Sequence, residues 1–143
     1  MKGMTDYARA AADYKARGVD RTLNPSDRER NDEGSWALQH YFEVGEDAMR
    51  LIVMSLVSAA RPLPKRILVF PSGSGRVTRH LRAFCPDAEI WASDIHDDHL
   101  SFCAERFGVR TKRSHQNLRS LEFECEFDLI FCGSLITHLN ESD

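Results

Sequence analysis

The segment Arg66 to Val77, reading Arg-Ile-Leu-Val-Phe-Pro-Ser-Gly-Ser-Gly-Arg-Val, constrains the chain more than any other. Ile67 to Phe70 is an unbroken apolar run with β-branched members, the pattern of a buried strand. Pro71, Ser72, Gly73, Ser74 and Gly75 then form a turn, and a helical pattern follows. Strand, glycine-rich turn and helix in that order make the ligand-binding corner of a doubly wound α/β sheet. Gly73 and Gly75 lack Cβ atoms, so the chain can bend tightly and a ligand can approach the backbone. A helix opening at Arg76 would aim backbone N–H groups at a carboxylate or phosphate. Read without a ligand, the same turn is a structural strand-to-helix connection.

The flanking sequence fits that corner. Thr5 to Arg17 reads as a short polar helix closed by Gly18, and the polar stretch from Val19 to Gly34 as a loop. Ser35 can cap a helix from Trp36, in which Tyr41, Val44, Ala48, Leu51, Ile52, Ser55, Leu56 and Ala59 recur at helical spacing to give one apolar face. Gly45 falls inside this pattern and is expected to divide it in two. Arg61-Pro62-Leu63-Pro64 ends it. Next come a helix over Val77–Phe84 and a strand over Glu89–Ser93. A helix capped by Asp97 or Asp98 and ended by Gly108 leads to a short strand over Val109–Lys112. Ser114 to Glu126 reads as loop, and Phe127–Cys132 as a fourth strand, apolar except for Asp128. The expected fold is α/β, a Rossmann-like open parallel sheet preceded by helices. The expected division is a helical lid region over 1–62 and a sheet region over 63–143.

Length and charge narrow the partners. A chain of 143 residues is one domain, able to remove roughly two-thirds of its unfolded surface from water. A formal charge of -3 gives no basis for nucleic acid or an acidic membrane as partner. Cys85, Cys103, Cys125 and Cys132 form no Cys-x-x-Cys pair and read as free thiols of a reducing cytoplasm. The longest apolar run, Leu51 to Ala60, is about half of what a bilayer requires. A cytoplasmic location is the expectation.

Asp94 closes the second strand and lies 21 residues after Gly73. An acid at that point accepts hydrogen bonds from the ribose hydroxyls of an adenosine-containing ligand, with Ile95 beside it to pack on a base; the alternative is a helix-capping role. Thr78 stands where a dinucleotide site prefers a third glycine or alanine, which argues against NAD or FAD. No Gly-Lys-Ser/Thr sequence is present for a nucleoside triphosphate loop. The exit of the fourth strand brings Cys132, Gly133 and Ser134 to the ligand-binding edge. His138, just beyond, is a candidate general base, or else a histidine packed against a loop. His96, His99 and Cys103 share a helical face at spacings a metal could use, but lack a fourth ligand, so no metal is assigned. Trp36, Tyr41 and Phe42 read as the apolar face of a lid helix.

The wording Phe-Pro-Ser-Gly-Ser-Gly-Arg-Val, Ala-Ser-Asp-Ile and Phe-Asp-Leu-Ile-Phe-Cys-Gly-Ser-Leu-Ile-Thr-His-Leu resembles the class I S-adenosylmethionine-dependent methyltransferases. The likeness is to a bacterial subset whose first motif reads Asp-Phe-Pro-Cys-Gly-x-Gly-Arg, and it spans about Tyr41 to Leu139. The resemblance implies S-adenosylmethionine as cofactor and a small-molecule substrate as the methyl acceptor. Pro71 to Gly75 would hold its methionine part and Asp94 its ribose. Ser114, His115 and Gln116 would lie near adenine, and Cys132 to Ser134 would face cofactor and substrate. The helix with His40 and Tyr41 would cover the site, with His138 or His40 supplying acid–base help. Two departures stand out. Val69 occupies the position of the family's acidic residue in strand one, which organises the turn and the cofactor's amino group. Family members also continue through strands five to seven, roughly another 60–100 residues, so the chain reads as truncated after strand four. That reading carries a second one: an inactive S-adenosylmethionine-binding module, completed by a partner chain or as a homo-oligomer.

Overall fold

A computed structural model describes residues 2–27 and 34–134. Two helices come first, α1 (Lys2–Arg17) and α2 (Gly34–Ser58). β1 (Arg66–Val69), α3 (Thr78–Phe84), β2 (Glu89–Asp94), α4 (Asp97–Phe107), β3 (Arg110–Arg113) and β4 (Leu129–Phe131) follow, with a 3-10 turn at Leu118–Ser120 between the last two strands. The strands pair in parallel in the order β3-β2-β1-β4. After β1 the chain steps outward through α3, β2, α4 and β3, then returns to the other side of β1 for β4. The strand order therefore reverses between β1 and β4, and a crevice opens beyond their carboxyl ends.

β1 is central because it is apolar on both faces: Ile67, Leu68 and Val69 are all buried. Its register sets Ile67 beside Ile90 and Leu129, and Val69 beside Ala92 and Phe131. That face carries one continuous core with Leu81 and Phe84 of α3, Leu100, Cys103 and Phe107 of α4, and Tyr7, Met49 and Ile52 of the two leading helices. The leading helices thus share the core of the sheet region. On the other face Leu68 pairs with Trp91 and Ile130. Trp91 there meets Phe123 and Phe127 edge-on, with centroids 5.9 and 6.3 Å away. β3 is an exposed edge, and its Arg-Thr-Lys-Arg sequence suits one, since charged side chains discourage further strand pairing.

Three local expectations are revised. Gly45 does not divide α2, which runs unbroken. A Cβ there would collide with the Arg76 carbonyl and come within 2.7 Å of the His80 ring, so this glycine lets α2 lie directly on α3. α4 is capped by neither Asp97 nor Asp98: its N-cap is His96, and the two acids occupy the first turn, where the helix dipole favours them. α3 opens at Thr78, not Arg76, and the N–H of Gly75 is already bonded within the turn to the Ser72 carbonyl at 3.1 Å. The expected caps at Gly18 and Gly108 are present, with φ of 71° and 58°. Among the described residues no helix is long and apolar enough to cross a membrane.

Candidate ligand site at the glycine turn

The glycine turn is locked from three sides. From the sheet, Ser72 N–H donates to the Ser93 carbonyl at 2.9 Å, and Gly73 N–H donates to Asp94 Oδ2 at 2.8 Å. Gly73 and Gly75 have φ of 52° and 81°, the left-handed region that favours glycine. A Cβ on Gly75 would also run into the Phe107 ring, with Cys103 Sγ at 3.2 Å. From below, the Cys103 thiol lies 3.5 Å from the Gly73 carbonyl, and burial pushes its pKa up to about 12. Cys103 is therefore a thiol packed under the turn. Among the described residues no group of His, Cys, Asp or Glu is arranged to hold a metal ion.

From the amino-terminal side, the loop after α1 straps across the turn. Arg79, 1% exposed, donates to the carbonyls of Gly75, Asp20 and Thr22 at 3.1, 2.8 and 2.9 Å. Its guanidinium also lies over Tyr41, Phe42 and Phe107. Burial draws its pKa below the usual arginine range, yet an arginine stays charged under such conditions. Asn24 Nδ2 donates to Ser74 Oγ at 3.0 Å, and Tyr41 OH donates to Asp27 Oδ2 at 2.8 Å. The loop thus delivers a buried acid, Asp27, to the rim of the turn.

Between these parts lies a cavity of about 430 Å³. Pro71, Ser72, Gly73, Asp94, Ile95, Ser114, Gly133 and Ser134 line it, so eight sequence-derived candidates converge there. Ser74, Gly75, His115 and Cys132 are not on its wall. Ser74 faces Asn24, Gly75 faces Phe107, and His115 and Cys132 are exposed. His138 lies outside the described residues. His40 points elsewhere, stacked on the exposed Trp36 with ring centroids 5.3 Å apart. Trp36 is thus not on the buried face of the lid helix, although Tyr41 and Phe42 are. From α2 the cavity takes Val44 and Ala48 instead.

Asp27, Arg76, His96 and His99 also line the cavity. Arg76 follows the glycine turn directly, and His99 falls in the first turns of a helix that begins at the ligand-binding edge, so both had a positional signal. Asp27 had none, because its place depends on how a loop closes. Asp94 is almost wholly buried and faces the turn. Its Oδ1 accepts the His96 N–H at 3.0 Å and lies 3.5 Å from His99 Nδ1. A carboxylate has about four acceptor positions, so two backbone donors leave capacity for a ligand.

The sequence profile of the methyltransferase domain matches residues 67–143. The chain belongs to the methyltransferase domain family. The match takes in β1, the glycine turn, Asp94 and β4, which are the parts that build the cavity. No curated protein matches the sequence. Among solved structures, this methyltransferase domain is similar to a TehB-like SAM-dependent methyltransferase from Corynebacterium glutamicum ATCC 13032 Kitasato. The TM-score is 0.49 and the identity 19%, over 72% of this chain and 60% of that chain. The chain therefore spans 60% of that protein's length.

Proposed function

We propose that the cavity binds S-adenosylmethionine and that the domain transfers its methyl group to a small-molecule nucleophile. The observation that carries this reading is the bond between Asp94 and Gly73: one carboxylate forms the cavity wall and ties down the glycine turn. The size and lining fit such a ligand. A volume of about 430 Å³ lies within the range of small-molecule sites, ~300–1,000 Å³. Ile95, Val69, Phe70 and Phe131 offer apolar wall for a purine, while Asp94 offers acceptors for vicinal hydroxyls.

When bound, the cofactor supplies a methyl group on a sulfonium, which is already a good leaving group. The chain's own residues then have mainly to position and to exclude water. Asp94 orients the ribose, the glycine turn admits the amino-acid tail close to the backbone, and Val44 and Ala48 of α2 close the top. Gly133 and Ser134, at the exit of β4, stand where an incoming nucleophile would approach.

One observation favours a second reading, a binding module without turnover. Val69 lies on the cavity wall, 1% exposed, and offers no acceptor where family members carry an acid. Incubation with methyl-labelled S-adenosylmethionine and pooled metabolites separates the two. Labelled product supports the enzyme; tight binding of S-adenosylhomocysteine without any product supports the module.

A further inference from the structure

His99 lines the cavity from the first turn of α4. Its side chain is 14% exposed, and its Nδ1 is fully buried without a hydrogen-bond partner. A buried polar atom left unpaired is costly, so an orphan on the wall of a ligand cavity calls for an explanation. Two carboxylates flank the ring. Asp94 Oδ1 lies 3.5 Å from Nδ1, and Asp98 Oδ2 lies 4.0 Å from Nε2. Among the described residues no other cationic group or imidazole comes within 4.0 Å of the Asp94 carboxylate. The 3.5 Å separation is about half an ångström longer than a good N–H···O bond, so a small rotation of the ring closes it. A large one is hindered, because the His96 ring meets the His99 ring edge-on with centroids 5.0 Å apart.

We infer that His99 is a positioning residue for the ligand's ribose: with the cavity filled, its Nδ1–H donates to Asp94 Oδ1 and steadies the carboxylate that meets the sugar hydroxyls. The inference rests on the proposed cofactor reading of the cavity. His99 acts through Asp94 and touches no reacting atom. A neutral imidazole carries one N–H. The Asp98 side chain is 51% exposed and already served by water, whereas the Asp94 side chain is buried, so Asp94 gains more from that proton. Ligand binding strengthens the preference. It removes the water that reaches Asp94 through the cavity, and each protein donor to the carboxylate then counts for more.

The test is calorimetric titration of the whole chain with two probes, S-adenosylhomocysteine and its 2′,3′-dideoxy analogue, which lacks the sugar hydroxyls. His99→Leu removes both ring nitrogens, while His99→Asn keeps an amide N–H about where Nδ1 stands. His99→Leu is expected to lose about threefold to tenfold in affinity for S-adenosylhomocysteine and to bind the dideoxy analogue as the unaltered protein does. His99→Asn is expected to recover most of that loss. Nitrogen NMR of the histidine rings in the unaltered protein, with the His99 signals identified by their absence in His99→Asn, should place the ring proton on Nδ1 in the complex. That readout decides the matter even if His99→Leu folds poorly. If His99→Leu weakens both probes alike or neither, if His99→Asn binds as weakly as His99→Leu, or if the complex carries the proton on Nε2, the assignment is overturned while the cofactor reading stands. If the unaltered protein does not bind S-adenosylhomocysteine, the cofactor reading itself fails and this inference with it.

Discussion

The Asp94 carboxylate accepts the backbone N–H of Gly73 across 2.8 Å, joining the end of β2 to the turn after β1. Its other oxygen accepts the His96 N–H at 3.0 Å, where α4 begins. One side chain thus fixes the turn, the second strand and the following helix while facing the cavity. Asp94→Ala should therefore act twice. Two backbone donors lose their partner, which destabilises the fold by ~1–3 kcal/mol in urea unfolding. Binding of S-adenosylhomocysteine should weaken by ~1–3 kcal/mol as well, through lost charge-assisted hydrogen bonds. Unchanged affinity would remove Asp94 from the site, whatever the stability.

Gly45 is predicted to be intolerant of even a methyl group. The added Cβ meets the Arg76 carbonyl and the buried His80 ring, neither of which can swing away. Gly45→Ala should cost ~1–3 kcal/mol as α2 is pushed off α3, despite the better helix propensity of alanine. A urea midpoint equal to or above that of the unaltered protein would show that the two helices are not in contact there.

His80 should make stability depend on acidity. Burial drives its pKa from 6.5 down to about 4, with the nearby Arg79 and Arg21 cations adding to the shift. Tyr14 OH lies 2.7 Å from Nδ1, which the neutral ring can offer as acceptor. Between these two pKa values the unfolded chain binds the proton and the folded one does not, so stability rises with pH. The contribution, roughly 2–3 kcal/mol, is complete above about pH 6.5 and is lost as pH falls through 4. His80→Gln should flatten the difference between unfolding free energies at pH 7 and pH 4.5. An equal drop in both proteins would assign the acid sensitivity elsewhere.

Arg79 is predicted to hold the strap. Arg79→Met keeps a long apolar stem but loses the bonds to Gly75, Asp20 and Thr22. Destabilisation of about 2–4 kcal/mol is expected, together with faster tryptic cleavage after Arg21. If cleavage there is no faster than in the unaltered protein, the strap is anchored by other contacts.

The parallel strands at the centre of the sheet were legible because such strands are written as apolar runs between turn residues, whereas their order β3-β2-β1-β4 came only with the structure. The pattern placed strands at Ile67–Phe70 and Glu89–Ser93 on either side of the glycine turn and its helix, within a residue of the observed Arg66–Val69 and Glu89–Asp94. Asp94 was legible for the same reason, since a chain leaving a strand must place its last residue at the ligand-binding edge. What escaped the sequence depends on distant contacts. Gly45 looks like a helix breaker until α3 is known to lie against it. Asp128 looks like an acid intruding on a strand. Its carboxylate in fact accepts the N–H groups of Lys65 and Arg66, each at 2.8 Å, and those bonds hold its pKa below the usual range. Asp27 sits in a polar stretch with no periodicity, and only the closure of the strap on Arg79 and Ser74 brings it to the cavity.

The most direct test of the account is calorimetric titration of the unaltered chain with S-adenosylhomocysteine and, separately, with NAD. The account predicts one saturable site for S-adenosylhomocysteine, lost or strongly weakened in Asp94→Ala, and no comparable heat with NAD. Binding of NAD in preference to S-adenosylhomocysteine, or no binding of either, would contradict it.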